Sequence, residues 1–276
     1  MTPTLPPLIA PEDLGDPSRP GTRLVHVAEA AAYRQAHLPG AVLVEPRQLV
    51  IGTPPAPGRL PDRERLDALF GALGLHDDLH LVVYDDEGGG WAGRLIWTLD
   101  VIGHRRWSYL DGGLHAWHAA GLPLESGAGV APEATRVRVQ IDRGPIAEVD
   151  DVLAATADRH QLIWDVRSAE EYRGERSGSR RAGHVPGAVN LDWLLLMDPN
   201  RALRLVADLE SLLAEHGISA DKRVITHCQS HHRSGLSYLV GRLLGFDIRA
   251  FHGSWAEWGN RDDLPVVTGA APGQMP

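Results

Sequence analysis

The sequence predicts an α/β protein of two tandem domains, each a parallel sheet with helices on both faces. Three observations lead to this fold class. The 276 residues suffice for two domains of about 100 to 150 residues. Short apolar runs alternate with helix-like segments, as expected for parallel strands joined by helices. The two halves of the chain also repeat the same motifs in the same order, which indicates a duplicated unit.

Four pairs of segments carry the repeat. They are Leu24–Val27 with Ile163–Val166, His37–Ala41 with His184–Ala188, Leu81–Tyr84 with Arg223–Thr226, and Gly112–Trp117 with Gly253–Trp258. Between the first two anchors the second half carries eight additional residues, within the stretch GERSGSRR at 174–181. The repeat predicts a first domain at 1–128 and a second at 146–276. The linker at 129–145 follows from the small, flexible composition of SGAGVAPE at 126–133.

In the second half, Gln161–Val166 and Arg223–Thr226 are short, rich in β-forming residues and bounded by polar turns, so we expect buried strands. Leucines at helical spacing predict a helix over Leu205–Glu215, with Gly217 as its stop. Ligands of such sheets bind beyond the carboxyl ends of the strands. Cys228 falls at that edge.

Cys228 is the only cysteine of the chain, and it lies in a short polar loop between a strand and an apolar helix. The first N–H groups of a helix point into such a loop and stabilise an anion. With Arg233 nearby, the thiol pKa is expected to fall from about 8.5 into the range of about 3.5 to 7.5. We therefore predict a nucleophile. A buried structural cysteine would not need this polar loop, and a zinc site with His227, His231 and His232 lacks a second ligand pair at the usual spacing.

The first half has lost both groups. Its counterpart of Cys228 is Asp86, and its counterpart of Arg233 is Trp91. The stretch DDEGGGW at 85–91 also lacks the ending of a phosphate-binding loop and the acidic alternation of a metal loop. We interpret it as a degenerate copy of the loop and expect one active site, in the second half, with the first half covering part of it.

Composition narrows the function classes. The net charge of −9 argues against a broad nucleic-acid surface, which needs excess Lys and Arg. No apolar stretch approaches the roughly 18 residues of a membrane helix, and the opening residues lack a signal-peptide pattern. A single cysteine forms no internal disulfide. We expect a soluble, cytoplasmic protein without a membrane or nucleic-acid partner, and without a metal or cofactor.

Three motifs in this chain resemble a known family. They are DVRSAEEY followed by GHVPGA, the loop CQSHHRSG, and GSWAEWG near the end. The chain resembles a tandem-domain rhodanese of bacterial type, a thiosulfate:cyanide sulfurtransferase, over nearly its whole length. The resemblance implies an inactive first domain and a Cys228 that becomes a persulfide. The residues that it assigns to substrate binding are Gln229, Ser230, His231, His232, Arg233 and Trp193, with Trp255 as a further candidate for the pocket wall.

The loop differs from the animal forms of the family, and two donors fit the resemblance. Arg233 offers a fork of donors to a sulfonate, which favours thiosulfate, and 3-mercaptopyruvate is the alternative donor. The expected acceptor is cyanide, a thiol or a protein dithiol. A cysteine-dependent phosphatase has one more residue than the four between Cys228 and Arg233. A non-catalytic binding module of this family commonly lacks the cysteine.

The sequence leaves two interpretations open for each of three groups of residues. Asp165 and Arg167 form either a buried structural ion pair or part of the pocket electrostatics. His231 and His232 either add positive charge below neutral pH or shape the turn. The remaining group is a basic cluster, which is either a solvated surface loop or a docking patch for an acidic acceptor protein. It consists of Arg173, Arg176, Arg180 and Arg181.

Overall fold

A computed structural model describes residues 5–16 and 19–273. The chain forms two compact units, and each takes one short segment from the other half of the sequence. The first unit comprises Met1–Val50, Leu60–Asp142 and Met197–Leu205. The second comprises Ile51–Arg59, Arg143–Leu196 and Val206–Pro276. The predicted domains at 1–128 and 146–276 and the predicted linker at 129–145 remain predictions.

The first unit is built on a five-stranded sheet in the order β1-β5-β4-β2-β3, with every neighbouring pair parallel. Its strands are β1 Leu8–Ile9, β2 Thr22–Val27, β3 Val42–Val44, β4 His80–Asp85 and β5 Trp107–Leu110. Its helices are α1 Ala30–Gln35, α2 Arg63–Ala72, α3 Gly90–Val101 and α4 Gly113–Ala119. All six residues of β4 are buried, as expected for a central parallel strand covered on both faces.

The second half of the chain repeats this plan. Its strands are β6 Ile146–Ala147, β7 Gln161–Asp165, β8 Val189–Asn190, β9 Met197–Asp198, β10 Arg204–Leu205, β11 Arg223–His227 and β12 Ile248–Phe251. Its helices are α5 Val149–Ala155, α6 Ala169–Arg173, α7 Leu209–Glu215, α8 Arg233–Leu243 and α9 Ser254–Trp258. The sheet of the second unit has the all-parallel order β6-β12-β11-β7-β8. The short β9 and β10 form a separate antiparallel ladder. The predicted fold class is confirmed: two α/β units with parallel sheets flanked by helices.

The predicted helix over Leu205–Glu215 is wrong at its start. Leu205 pairs with Met197 in the β9/β10 ladder, and α7 begins at Leu209. The side chain of Asp208 accepts a hydrogen bond from the backbone N–H of Ser211 at 3.0 Å and so caps the helix there. The two predicted strands match β7 and β11 closely.

The internal repeat extends to side-chain contacts. The rings of Tyr33 and His37 stack with centroids 4.0 Å apart, and those of Tyr172 and His184 stack at 3.6 Å. In each unit the histidine Nδ1 lies 2.8 Å from the carbonyl oxygen of its tyrosine. Equivalent polar contacts at equivalent positions support a duplicated unit. Within the described residues, no helix is long and apolar enough to cross a membrane.

Candidate active site

Cys228 lies where the central strand of the second unit ends. Strand β11 pairs in parallel with β7 on one side and β12 on the other and ends at His227. Helix α8 begins at Arg233, and most of its residues are buried. A Cβ added at Gly241 would lie 2.6 Å from Ile248 Cδ1, so this helix packs closely on β12. The loop at 228–232 is therefore held at both ends by buried elements.

The loop rests on a buried ion pair. Asp165 accepts hydrogen bonds from Arg167 Nε at 2.9 Å and Nη2 at 2.6 Å, and both side chains are fully buried. Burial opposes ionisation of Asp165, but the charge of Arg167 outweighs it and holds the pKa of this carboxyl below its usual value. The Arg167 guanidinium also lies 4.3 Å from the centroid of Trp255. The predicted buried ion pair is confirmed.

His227 joins the same network at the end of β11. It is paired in register with Asp165, and its Nε2 lies 3.8 Å from Asp165 Oδ2. Burial lowers the pKa of His227 despite the attraction of Asp165, so the imidazole is neutral at pH 7. A neutral, enclosed His227 contributes to the support of the loop.

The Cys228 thiol is buried, at 1% exposure. Burial by itself raises the pKa of the thiol, but the charge of Arg233 and hydrogen bonds from Ser234 outweigh it, and the pKa lies below the ordinary value. The backbone is fixed as well. Cys228 N–H donates to Ser254 Oγ at 3.3 Å, and its carbonyl accepts from the N–H of Trp255 at 2.9 Å.

Arg233 is oriented by Glu171, a residue for which the sequence suggests no role in the site. Arg233 Nη1 and Nη2 donate to the two oxygens of Glu171 at 2.6 and 3.0 Å. Glu171 also accepts from the backbone N–H of Ser168 at 3.2 Å as part of a capping box at the start of α6. The Ser-x-x-Glu spacing signals such a helix start, but it does not reveal the partner 62 residues away.

The histidines of the loop occupy different environments. His231 is fully buried with a left-handed φ of 55°, and its Nδ1 lies 2.8 Å from Ser234 Oγ. This geometry favours the interpretation that His231 shapes the turn. His232 lies with its ring centroid 5.7 Å from that of Trp193, which is half-buried. The structure thus brings Trp193 to the loop, as the resemblance implied.

The side chains of Gln229 and Trp255 form hydrogen bonds with the segment at 177–181. Gln229 Nε2 donates to Ser179 Oγ at 3.1 Å. Trp255 is fully buried, and its Nε1 donates to Ser177 Oγ at 3.3 Å and to the carbonyl of Arg181 at 3.2 Å. These contacts give Trp255 a part in holding the loop, and its place in the pocket wall stays a prediction.

The backbone of Ser230 is in close contact with the segment Ile51–Arg59, which carries no recognisable motif in the sequence. A Cβ added at Gly58 would lie 1.9 Å from the Ser230 carbonyl oxygen, so the two backbones approach as closely as only glycine allows. Arg59, the next residue, donates to Glu257 at 2.6 and 3.1 Å and pairs with Glu148 at 3.1 Å. The segment Ile51–Arg59 is therefore anchored against the Cys228 loop of its own unit.

The corresponding loop of the first unit is filled by its own carboxylate. Asp85 Oδ1 accepts from the N–H groups of Glu87, Gly88 and Gly89 at 2.8 to 3.2 Å, and Oδ2 accepts from Ala92 at 2.9 Å. Burial, with a further contribution from Glu87, raises the pKa of Asp85 to about 6 although these N–H groups favour the ionised form. This loop has no thiol, and an internal acid takes its N–H donors.

Across the described residues, no group of three or more His, Cys, Asp or Glu is placed to hold a metal ion. The histidines around Cys228 are directed to Asp165, Ser234 and Trp193. Cys228 lies within the electrostatic influence of Arg233, whose charge lowers the pKa of the thiol.

Comparison with known proteins agrees with this geometry. The Rhodanese-like domain family model matches residues 10–120 and 148–261. A thiosulfate sulfurtransferase of Azotobacter vinelandii is 49% identical over 95% of this chain and 97% of its own length. One of Pseudomonas aeruginosa is 46% identical over the same shares. A 3-mercaptopyruvate sulfurtransferase of Escherichia coli (strain K12) is 34% identical over 86% of this chain and 85% of its own.

Proposed function

This chain belongs to the rhodanese-like domain family, and from that premise we propose that it is a thiosulfate sulfurtransferase with Cys228 as its sulfur carrier. One observation carries the assignment to this residue. The single cysteine of the chain lies at the carboxyl end of the central strand of the second unit, with a lowered thiol pKa beside Arg233. That combination favours the thiolate, which is the reactive form of cysteine.

The first half-reaction follows from this arrangement. The Cys228 thiolate attacks the outer sulfur of thiosulfate, a new S–S bond forms, and the S–S bond of thiosulfate breaks so that sulfite leaves with the electron pair. Two of the five N–H groups of Arg233 go to Glu171, which leaves donors for the sulfonate oxygens. The N–H groups at the start of α8 would stabilise the anionic outer sulfur.

The second half-reaction regenerates the enzyme. Cyanide attacks the outer sulfur of the persulfide, thiocyanate leaves, and the Cys228 thiolate returns. A thiol or a protein dithiol acts in the same way and leaves as its own persulfide. Two separate half-reactions imply ping-pong kinetics.

The roles of the other loop residues belong to this proposal. We assign Arg233, His232 and Trp193 to the substrate side, because the charge of Arg233 acts on Cys228 and the other two lie ring to ring beside the loop. The backbone N–H groups of Gln229, Ser230 and His231 complete the cradle. Domain assignments follow the sequence: a non-catalytic domain at 1–128, a linker at 129–145 and a catalytic domain at 146–276, in a cytoplasmic protein.

The alternative donor is 3-mercaptopyruvate, and one observation favours keeping it. The Escherichia coli relative that is 34% identical bears that name, so the shared fold accommodates either donor. Thiosulfate is preferred because the relatives at 46 and 49% identity are named for it. The phosphatase hypothesis is weaker, because the loop is one residue short of a phosphate cradle.

Intact-mass spectrometry tests the proposal. Protein treated with thiosulfate should gain the mass of one sulfur atom, and cyanide should remove it. Cys228→Ser is the matched control and should gain nothing. Parallel incubations with 3-mercaptopyruvate and an aryl phosphate separate the three chemistries. A wild-type protein that stays unlabelled with both sulfur donors would refute the proposed function.

A further inference from the structure

We propose that the inserted segment at 174–181 is a positioning element for the catalytic loop and that Ser179 is the residue through which it acts. The inference deepens the proposed sulfurtransferase function and rests on it. It replaces the docking patch that the arginines of this segment suggested, and it gives the eight additional residues of the second half a part in catalysis.

The arginines around the insertion have partners within their own unit. Arg180 Nη2 lies 2.8 Å from Asp262 and donates to the Asn260 carbonyl at 2.7 Å. Arg181 Nη2 donates to the carbonyl of Leu264 at 2.7 Å. These contacts tie the segment to the chain that follows α9. Charges engaged in this way anchor the segment and contribute little to recognition of an acidic protein.

The small residues between these arginines meet the catalytic loop. Ser179 Oγ accepts from Gln229 Nε2 at 3.1 Å and donates to the carbonyl of Trp255 at 3.1 Å. A Cβ added at Gly178 would lie 3.1 Å from Gln229 Nε2, and one at Gly259 would lie 3.0 Å from Ser179 Cβ. The close spacing explains why the sequence here is Ser-Gly-Ser, since larger side chains would separate the segment from the loop.

The two hydrogen bonds of Ser179 involve Gln229 and Trp255, and both of these residues are connected directly to Cys228. Gln229 is the next residue, and its Oε1 is buried without a hydrogen-bond partner among the described residues, so Ser179 is what fixes its amide. Trp255 N–H donates to the Cys228 carbonyl at 2.9 Å, and Ala256 N–H donates to the Gln229 carbonyl at 2.8 Å. Ser179 thus restrains the backbone beside the thiol in two ways. One acts through the side chain of Gln229, and the other acts through α9.

The test is a double-mutant cycle on Ser179→Ala and Gln229→Ala, read out by two rates on Cys228. The first rate is persulfide formation at saturating thiosulfate, and the second is alkylation by iodoacetamide, which needs only the thiol. We expect Ser179→Ala to lower both rates on Cys228 by about three- to tenfold, the equivalent of one lost hydrogen bond, with an unchanged KM for thiosulfate. The double variant should be little worse than Gln229→Ala alone, because both changes remove the same contact.

Thr156→Ala is the control. The Thr156 hydroxyl donates to the carbonyl of Leu153 at 2.7 Å at the end of α5, so this variant loses a hydrogen bond of the same unit without changing a contact of Ser179 or Gln229, and both rates should stay at the wild-type value. The urea midpoint of each variant shows whether its slower rate is accompanied by a loss of stability. Alkylation rates that are equal in wild type and Ser179→Ala would overturn the inference. So would additive effects of Ser179→Ala and Gln229→Ala. A wild type that alkylates normally but takes no sulfur would instead count against the proposed function.

Discussion

Replacing Arg233 by glutamine tests whether this side chain makes the buried thiol reactive. Burial alone raises the pKa of Cys228, and Arg233 is the largest of the influences that lower it. An adjacent opposite charge shifts a pKa by about 1 to 3 units. We therefore expect the thiolate pKa of Arg233→Gln to rise by at least about one unit. At a pH below the wild-type pKa of the thiol, the rate of persulfide formation should fall about tenfold for each unit of increase.

Arg233→Gln should also lower the free energy of unfolding, by an amount that can be estimated from the contacts of Glu171. Glu171, with a side chain 10% exposed, loses a bidentate partner, and a charge-assisted hydrogen bond contributes about 1.5 to 3 kcal/mol. Arg176 lies 3.6 Å from the same carboxylate and remains as a weaker partner. The expected loss of unfolding free energy is therefore about 2 kcal/mol, which leaves the fold intact in a domain of ordinary stability.

Two measurements separate the electrostatic effect from the structural one. The pH profile of Cys228 alkylation, together with the ultraviolet absorbance of the thiolate, reports the pKa directly. Arg233→Lys is the control, because it keeps the charge but cannot form the bidentate pair, so its thiolate pKa should stay near that of the wild type. An Arg233→Gln protein with an unshifted alkylation profile would refute the electrostatic role.

Two further predictions concern the glycine contact at the loop and the acid of the first unit. Gly58→Ala should cost about 1 to 3 kcal/mol and slow persulfide formation, because its Cβ would lie 1.9 Å from the Ser230 oxygen; an unchanged urea midpoint would contradict the close approach. Asp85 has a pKa raised by burial from 3.8 to about 6, so the folded chain holds this proton more tightly and stability falls as the pH rises from about 4 to 6. Asp85→Asn should lack this change in unfolding free energy with pH, which is of the order of 1 to 3 kcal/mol. Urea midpoints that change with pH equally in both proteins would contradict the prediction.

The sequence predicted the features that depend on local pattern. Strands β7 and β11 and the Asp165–Arg167 pair follow from short apolar runs and from charges two positions apart at a strand end. The start of α7 was misplaced because Leu205 fits the helical spacing of the leucines that follow. The cap at Asp208 and the pairing of Leu205 with Met197 decide the boundary instead.

The site features that the sequence did not reveal are contacts between distant positions. Glu171 meets Arg233 across 62 residues, and Ser179 meets Gln229 across 50. No periodicity encodes such pairs, since they depend on how α6 and the inserted segment pack beside the loop. Gly58 belongs to the same class, because its close approach to Ser230 is a property of the folded unit and not of its neighbours in sequence.

The four N–H groups that Asp85 occupies set a condition for engineering a second thiol site in the first unit. A cysteine placed at Asp86 would lie beside an existing negative charge, with the stabilising donors already engaged. Asp85 would therefore have to change as well, and its removal would leave four N–H groups without this acceptor, at a cost in stability. A designer who wants two reactive loops in one chain needs at least these two substitutions.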